Sequence, residues 1–401
     1  MKNKAMSTIA AMVMAISTQA ASIETDREWY LAGEPMRVKV TAHDALIAYA
    51  ELCDTYGLAA STVITITEGK GDATIELPQN LHSGYYVLNT YTRNNARVEN
   101  KLIAVVNPLT KSKDDDIEWV EGDSCFATMK GTAELVNKKG VDVRETEGHI
   151  IKARIKNTYE GQNYIDREIF PAMSIIGKQV KYFEGKMTND SIAVFYTYDI
   201  HGKQAFVLSA TTSTGVSLPI EMISPFEALT PKKLPHLVFN YRRSEVEARS
   251  LDMQRHQQTM VTDITPSDYK ETVYGVKPYL SYNLDEYRQF LTVKEVLLEY
   301  VSCVTKVKIN GVQKLIVHGD QEYYNKVLPS LVLIDGMPVE DTERLLKYDA
   351  RRIHYINIYG GQYTFGNNAY NGILTFVTRS GQLTNYPIER NMQYLEYEFP
   401  K

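Results

Sequence analysis

The chain has 401 residues, a little under three domains at roughly 150 residues each. Its 44 Lys and Arg against 49 Asp and Glu give a net charge of −5, and 44% hydrophobic with 23% charged residues are the proportions of a folded globular protein. That excludes a disordered chain. A mean hydropathy of −0.30 excludes a polytopic membrane protein, and a pI near 6.0 with only scattered arginine pairs excludes a basic phosphate-binding stripe, so nucleic acid is not an expected partner. The unusual count is tyrosine, 28 against 11 phenylalanines.

Residues 1–20 read as a signal peptide. Lys2 and Lys4 form a basic start, Ile9–Ile16 an apolar run, and Thr18-Gln-Ala20 puts small residues where a signal peptidase needs them. The run is well short of the roughly 20 residues that span hydrocarbon, so cleavable export is expected in place of an anchor. No transmembrane segment is expected once it is removed, and the rest carries 42 bases against 49 acids. No cysteine comes before Cys53, which argues against a lipid anchor. Cys53, Cys125 and Cys303 are odd in number and far apart, unlike a disulfide framework. They are expected to be small buried hydrophobes, with a Cys53–Cys125 bridge as the alternative. No zinc-like Cys or His spacing occurs, and neither metal nor cofactor is expected.

Residues 22–108 have the pattern of a β-sandwich. Met36, Val38, Val40 and Ala42 alternate with Arg37, Lys39 and Thr41, as a strand with one wet face requires. Ala48–Cys53, Val63–Thr67, Ala73–Leu77, Tyr85–Thr92 and Lys101–Val106 follow at intervals of about ten residues. Trp29-Tyr-Leu-Ala-Gly-Glu-Pro35, Ala48-Tyr-Ala-Glu-Leu52, Leu77-Pro-Gln-Asn-Leu-His-Ser-Gly-Tyr-Tyr86 and Ile103-Ala-Val-Val-Asn-Pro108 resemble, in this order, a macroglobulin-type domain of envelope proteins. Lys111–Asp116 is then a charged linker whose three aspartates read as solvated; they lack the spaced ligands of a calcium loop.

Residues 117–226 read as a second β-sandwich, with His149–Lys156, Gln179–Phe183, Ser191–Tyr198 and Ala205–Ala210 as strands. Asp199 and His201 sit at a hairpin tip and read as turn residues before a catalytic pair. Glu145, Glu147 and His149 alternate, and read as a wet strand face before a metal site. Residues 227–288 are expected to be a helix, Asn240–Val261 with His256 facing solvent, and a connector. The connector's Tyr269, Tyr274, Tyr279, Tyr282 and Tyr287 read as packing residues before a sugar-stacking platform.

Residues 289–382 change character. Thr292-Val-Lys-Glu295 is a capping box opening a helix, and Asn310-Gly311 is a hairpin signal. Next come a strand ending Ile334-Asp335-Gly336-Met-Pro338, a helix over 341–348, a strand over 352–359 reaching Gly360-Gly361, and Asn371-Gly372-Ile-Leu-Thr-Phe-Val-Thr378. The order resembles the plug domain of TonB-dependent receptors. Receptors of that family continue into a barrel of about 22 strands, whereas residues 383–401 read here as a short tail, and no TonB-binding box is recognisable. Asp335, Gly336, Pro338, Gly360, Asn371 and Gly372 are expected to shape turns, not to catalyse.

No nucleophile elbow, His-Glu-x-x-His pair, phosphate loop or macroglobulin thioester occurs. The fold expected is mainly β: two immunoglobulin-like or macroglobulin-type sandwiches, a helical connector and a small α+β plug-like domain. The function expected is a non-catalytic exported module at the periplasm or outer membrane with a protein partner. The alternatives are a component of a separate TonB-dependent outer-membrane barrel, and a hydrolase of envelope or dietary polymers.

Overall fold

The computed structural model describes residues 22–43, 45–164, 168–177, 179–260 (256–260 for backbone alone), 272–309, 311–318, 328–365, 368–381, 383 and 386–400. The signal peptide, Tyr269, Asn310 and the His256 side chain lie outside them. The protein is mainly β, as the alternating patterns require, and forms two units. One comprises the chain up to Arg144 with Ala228–Arg249, and the other Glu145–Glu227 with Ser250–Lys401.

The first unit is built on eight strands: β1 (Ser22–Thr25), β2 (Trp29–Leu31), β3 (Pro35–Thr41), β4 (Ile47–Cys53), β5 (Leu58–Thr65), β6 (Lys70–Glu76), β7 (Gly84–Tyr91) and β8 (Glu99–Val106). They make a sandwich of a five-stranded sheet, β2-β8-β7-β4-β5, and a three-stranded sheet, β1-β3-β6. Met36, Val38 and Val40 point into the core with Tyr30, Leu52, Ile64 and Tyr86, while Arg37 and Lys39 stay exposed. Strands β4 and β7 are buried along their whole length, because the far face of the sheet is covered too. There Arg93 stacks on Tyr49 and Lys139 on Tyr91, and Leu229 N–H donates to the buried Glu51 carboxylate at 3.1 Å.

The unit extends past residue 108. Ile117–Glu121 and Phe126–Lys130 flank His236–Tyr241 in a three-stranded sheet, and Leu237 and Phe239 pack on Trp29, Leu31 and Val106. Residues 117–144 are therefore not part of the second sandwich, and 227–288 is not simply a connector. The helix α1 (Arg243–Met260) follows. Its Arg249 lies 3.6 Å over the Trp29 ring and donates through Nε to Glu34 Oε1 at 2.9 Å, while Glu34 Oε2 accepts the Leu31 N–H at 2.8 Å. This explains Trp29 and Glu34 in the first sandwich motif: the carboxylate closes the Gly33 turn, and the guanidinium neutralises it.

In the second unit, Lys186–Met187, Ile192–Thr197, His149–Ile155 and Ile220–Ile223 face a sheet of Tyr182–Glu184, Ile169–Ile176, Gly202–Thr212 and Gln393–Phe399. The last strand corrects the reading of 383–401 as a tail. It pairs antiparallel with Gly202–Leu208 and buries Phe399 among Ile151, Phe206 and Met173. Leu395, Tyr397 and Phe399 alternate with Glu396 and Glu398, a period-2 signal present in the sequence.

A further sheet runs in the order Leu280–Asn283, Ile353–Phe365, Asn368–Thr378, Leu331–Ile334, Met337–Pro338. Leu331–Ile334 is parallel to Ile373–Phe376. The helices α2 (Val293–Glu299), with the expected Thr292–Glu295 capping box, and α3 (Thr342–Lys347), capped by Asp341, pack on it. Its core also takes in Ile176 and Val207 of the sandwich.

Replacing Glu34 by Ala strands the Arg249 guanidinium against Trp29 and frees the Leu31 amide. Breaking such a buried pair is expected to cost about 3 kcal/mol. Urea unfolding of the variant should show it, and an unchanged midpoint would refute this role.

Candidate functional site

The six motif residues near the C-terminus divide between opposite ends of their sheet. At one end Asp335 adopts φ 47° and Gly336 φ 94° after the strand Leu331–Ile334. Asp tolerates the left-handed region at a modest cost, and Gly at none. The buried Asp335 carboxylate accepts the Thr378 N–H (2.7 Å), the Thr378 hydroxyl and the Leu383 N–H (2.7 Å). Burial raises its pKa, and the hydrogen bonds from Thr378 and Leu383 oppose that rise. The Gly177 N–H donates to the Asp335 carbonyl at 3.1 Å, and the Ser174 hydroxyl donates to that of Gly336. A Cβ on Gly336 would collide with the Ile175 carbonyl. Pro338 pairs with Leu333 in the return strand.

At the other end the Asn371 N–H donates to the Pro329 carbonyl at 3.0 Å, and the Ser330 hydroxyl donates to the Asn371 carbonyl. Gly372 has φ 71°, and a Cβ there would sit 2.8 Å from the Tyr359 carbonyl oxygen. Gly360 lies at the register shift between Tyr359 and Gln362. The three residue steps from Leu331 to Ile334 put these ends about 10 Å apart. The motif is a pair of turns, and its residues do not converge on a reacting centre.

Of the other candidates, Glu145 and His149 meet and Glu147 stays exposed. His149 Nδ1 is 3.0 Å from Glu145 Oε1, and its Nε2 is 2.8 Å from the Tyr397 hydroxyl, with the two rings stacked. Glu145 also accepts the Ile150 N–H, so the trio pins the last strand to the start of the unit. Asp199 pairs with Lys181 at 2.7 Å, and His201 Nδ1 lies 3.0 Å from the Pro400 carbonyl; the two do not bond to each other. Asp115 accepts the Ser83 and Ser112 amides, and Asp116 pairs with His236. All three cysteines are free, which removes the Cys53–Cys125 bridge; burial, with Glu51 beside it, pushes the Cys53 thiol up to about 12. Tyr274 stacks on Phe365, and Tyr282 and Tyr287 pack together, while Tyr279 is exposed. Among the described residues no cluster of three His, Cys, Asp or Glu is placed to hold a metal. Among them, too, no helix is long and apolar enough to cross a membrane.

One open feature lies on the first sandwich. Strand β5, Leu-Ala-Ala-Ser-Thr-Val-Ile-Thr, is the edge of its sheet and carries no charge. The Ile66 N–H to Leu46 carbonyl bond sets the phase of the β4–β5 ladder, so the amides and carbonyls of Ser61 and Val63 face away from β4. Among the described residues these groups have no partner. Tyr56 and Leu58 are exposed beside them. Sequence reading placed a strand here but began it at Val63, because Leu58–Thr62 lacks the alternation that marks a wet face.

No protein-family model matches the chain, and no curated protein matches it. Among solved structures, the native Escherichia coli α2-macroglobulin is similar over 52% of this chain and 14% of its own, at 11% identity and a TM-score of 0.20. A Salmonella α2-macroglobulin mutant is similar over 55% and 15%, at 10% identity and 0.21. The Escherichia coli adhesin FdeC is similar over 55% and 64%, at 11% identity and 0.19. The chain thus spans about one-seventh of the macroglobulins it resembles. TM-scores this low lend it neither an overall fold nor a function, and the sandwich assignment rests on the strand pairings.

If Asp335–Gly336 is a joint, Gly336→Ala should destabilise the second unit by roughly 2–4 kcal/mol through strain and overpacking. Gly360→Ala, whose Cβ would meet only the Tyr279 ring at 4.0 Å, should cost less than about 1 kcal/mol. Thermal unfolding of both variants tests this, and equal effects would refute the joint.

Proposed function

We propose that this chain is a non-catalytic, exported binding or adaptor module of the cell envelope, which takes an extended segment of a protein partner as an added strand along β5. The observation that carries the reading is the unpaired, uncharged edge at Ser61 and Val63. Folded proteins usually guard such edges with Lys, Pro or a bulge; β5 carries no Lys or Pro, and its register shift lies at Leu58–Ala60, short of Ser61 and Val63, where the regular edge invites strand addition. Main-chain hydrogen bonds would supply affinity, with Tyr56 and Leu58 adding apolar contact. The signal-like first twenty residues support export.

A second reading has the α+β layer dock onto a separate outer-membrane barrel. What favours it is the order of elements over 331–378, strand, Asp-Gly turn, helix, strand and final strand, together with the resemblance of the motifs there to receptor plugs.

Cross-linking in whole cells with the full chain and a Ser61→Pro variant separates the two. Proline at 61 removes an outward N–H without breaking the ladder to β4. The proposal expects partner peptides joined near 58–63 in the parent chain and lost in the variant, with thermal unfolding unchanged. Retention of the same partner by the variant overturns it. Capture of a barrel protein through 331–378 alone would establish the second reading in its place, and turnover of a polymer by the purified chain would end the non-catalytic claim.

A further inference from the structure

Within the second unit a cleft of about 110 Å³ opens between the strands Ile169–Ile176 and Gly202–Thr212 on one side and Val312–Val317, Leu331–Ile334 and the segment to Thr342 on the other. Glu340, Lys314, Thr211, Ser209, Asn368 and Tyr370 are among the groups lining it. Glu340 is fixed at this wall because its N–H donates to Glu389 Oε2 at 2.9 Å. Glu389 itself accepts the Asp341 N–H as well, so it is held below the cleft by the start of α3. The Tyr182 and Tyr370 hydroxyls approach to 3.5 Å at the opposite wall.

The charges in this space do not balance. No Lys, Arg or His nitrogen comes within 4.0 Å of the Glu340 carboxylate among the described residues, and Lys314 acts on it only from farther off. Burial pushes the Glu340 carboxyl up to about 7; the Glu389 charge adds to the rise, and the Ser217 hydroxyl and Lys314 oppose it. An acid enclosed without a close cation is costly to ionise, and a ligand that brings the cation removes that cost. An apolar cavity of about 150 Å³ accepts benzene, so this one suits about four or five heavy atoms. The other polar groups of the lining are hydroxyl, amide and ammonium, set beside apolar walls that include Phe170, Leu315, Val332 and Pro338, and call for a short ligand polar at its far end.

We propose that the cleft binds a short primary amine of four or five heavy atoms, its ammonium against Glu340 and its polar end toward Lys314, Thr211 and Asn368. The site is independent of β5 and lies in the other unit. Ethanolamine and glycine are the two probes: both carry the ammonium, and only glycine offers a carboxylate for Lys314. Binding of either favours the ionised form of Glu340 and so releases a proton from the protonated fraction, more at pH 7 than at pH 9.

Titration calorimetry on the full chain, in buffers of different ionisation heat, reads binding and proton release together. The expected result is saturable binding of the amines with that release, no binding of ethylene glycol, and at least tenfold weaker binding by Glu340→Gln. Lys314→Met should erase any preference for glycine. No saturable binding of either amine, or undiminished binding by a folded Glu340→Gln, overturns the proposal. Should that variant fail to fold, buffer-independent heats for the parent chain overturn it just as directly.

Discussion

The second unit depends on one turn. Asp335 gives its carboxylate to the Thr378 and Leu383 amides and the Thr378 hydroxyl, while the carbonyls of Asp335 and Gly336 receive donors from Gly177 and Ser174. The first set closes the parallel pairing of Leu331–Ile334 with Ile373–Phe376, and the second fastens that pairing to the sandwich strand Ile169–Ile176. A glycine is required because the Ile175 carbonyl occupies the space a Cβ would need. The same two residues therefore order the α+β sheet and join it to its neighbour, which is why one core contains Ile176, Val207, Ile334 and Phe376 together.

Other carboxylates play a comparable part. Glu34 holds the Leu31 amide, Glu145 the Ile150 amide, Asp115 those of Ser83 and Ser112, and Glu389 those of Glu340 and Asp341. A carboxylate accepts several N–H donors at once and tightens loops that short strands leave unsatisfied. Acids that look chemically suggestive in the linear sequence are thus largely taken up by the fold's own amides. Glu340 differs, since it faces open space without a close cation.

Much of the architecture was legible because strands with one wet face declare themselves. Met36–Ala42, the Thr292 capping box and the Asp335-Gly336 turn each follow from local chemistry. The errors share a cause. His236–Tyr241 and Gln393–Phe399 are strands whose partners lie far along the chain, at Ile117–Glu121 and Phe126–Lys130 in one case and Gly202–Leu208 in the other. The alternation in 393–399 was visible, but its short length beside the end of the sequence suggested a tail. The Glu145–His149 pair was half legible through spacing, whereas Tyr397, 248 residues away from His149, was beyond any local rule. The β5 edge and the Glu340 cleft were also hidden, since each is defined by which neighbours are missing.

Native-state hydrogen exchange across the second unit tests the central claim most directly. If the Asp335–Gly336 turn welds the sheet to the sandwich, the slowest amides of Ile353–Tyr359 and Ile373–Thr378 should exchange with the same opening free energy as those of Met173–Ile176 and Phe206–Leu208. Opening of the α+β strands in a separate event of lower free energy, with the sandwich still protected, would contradict it.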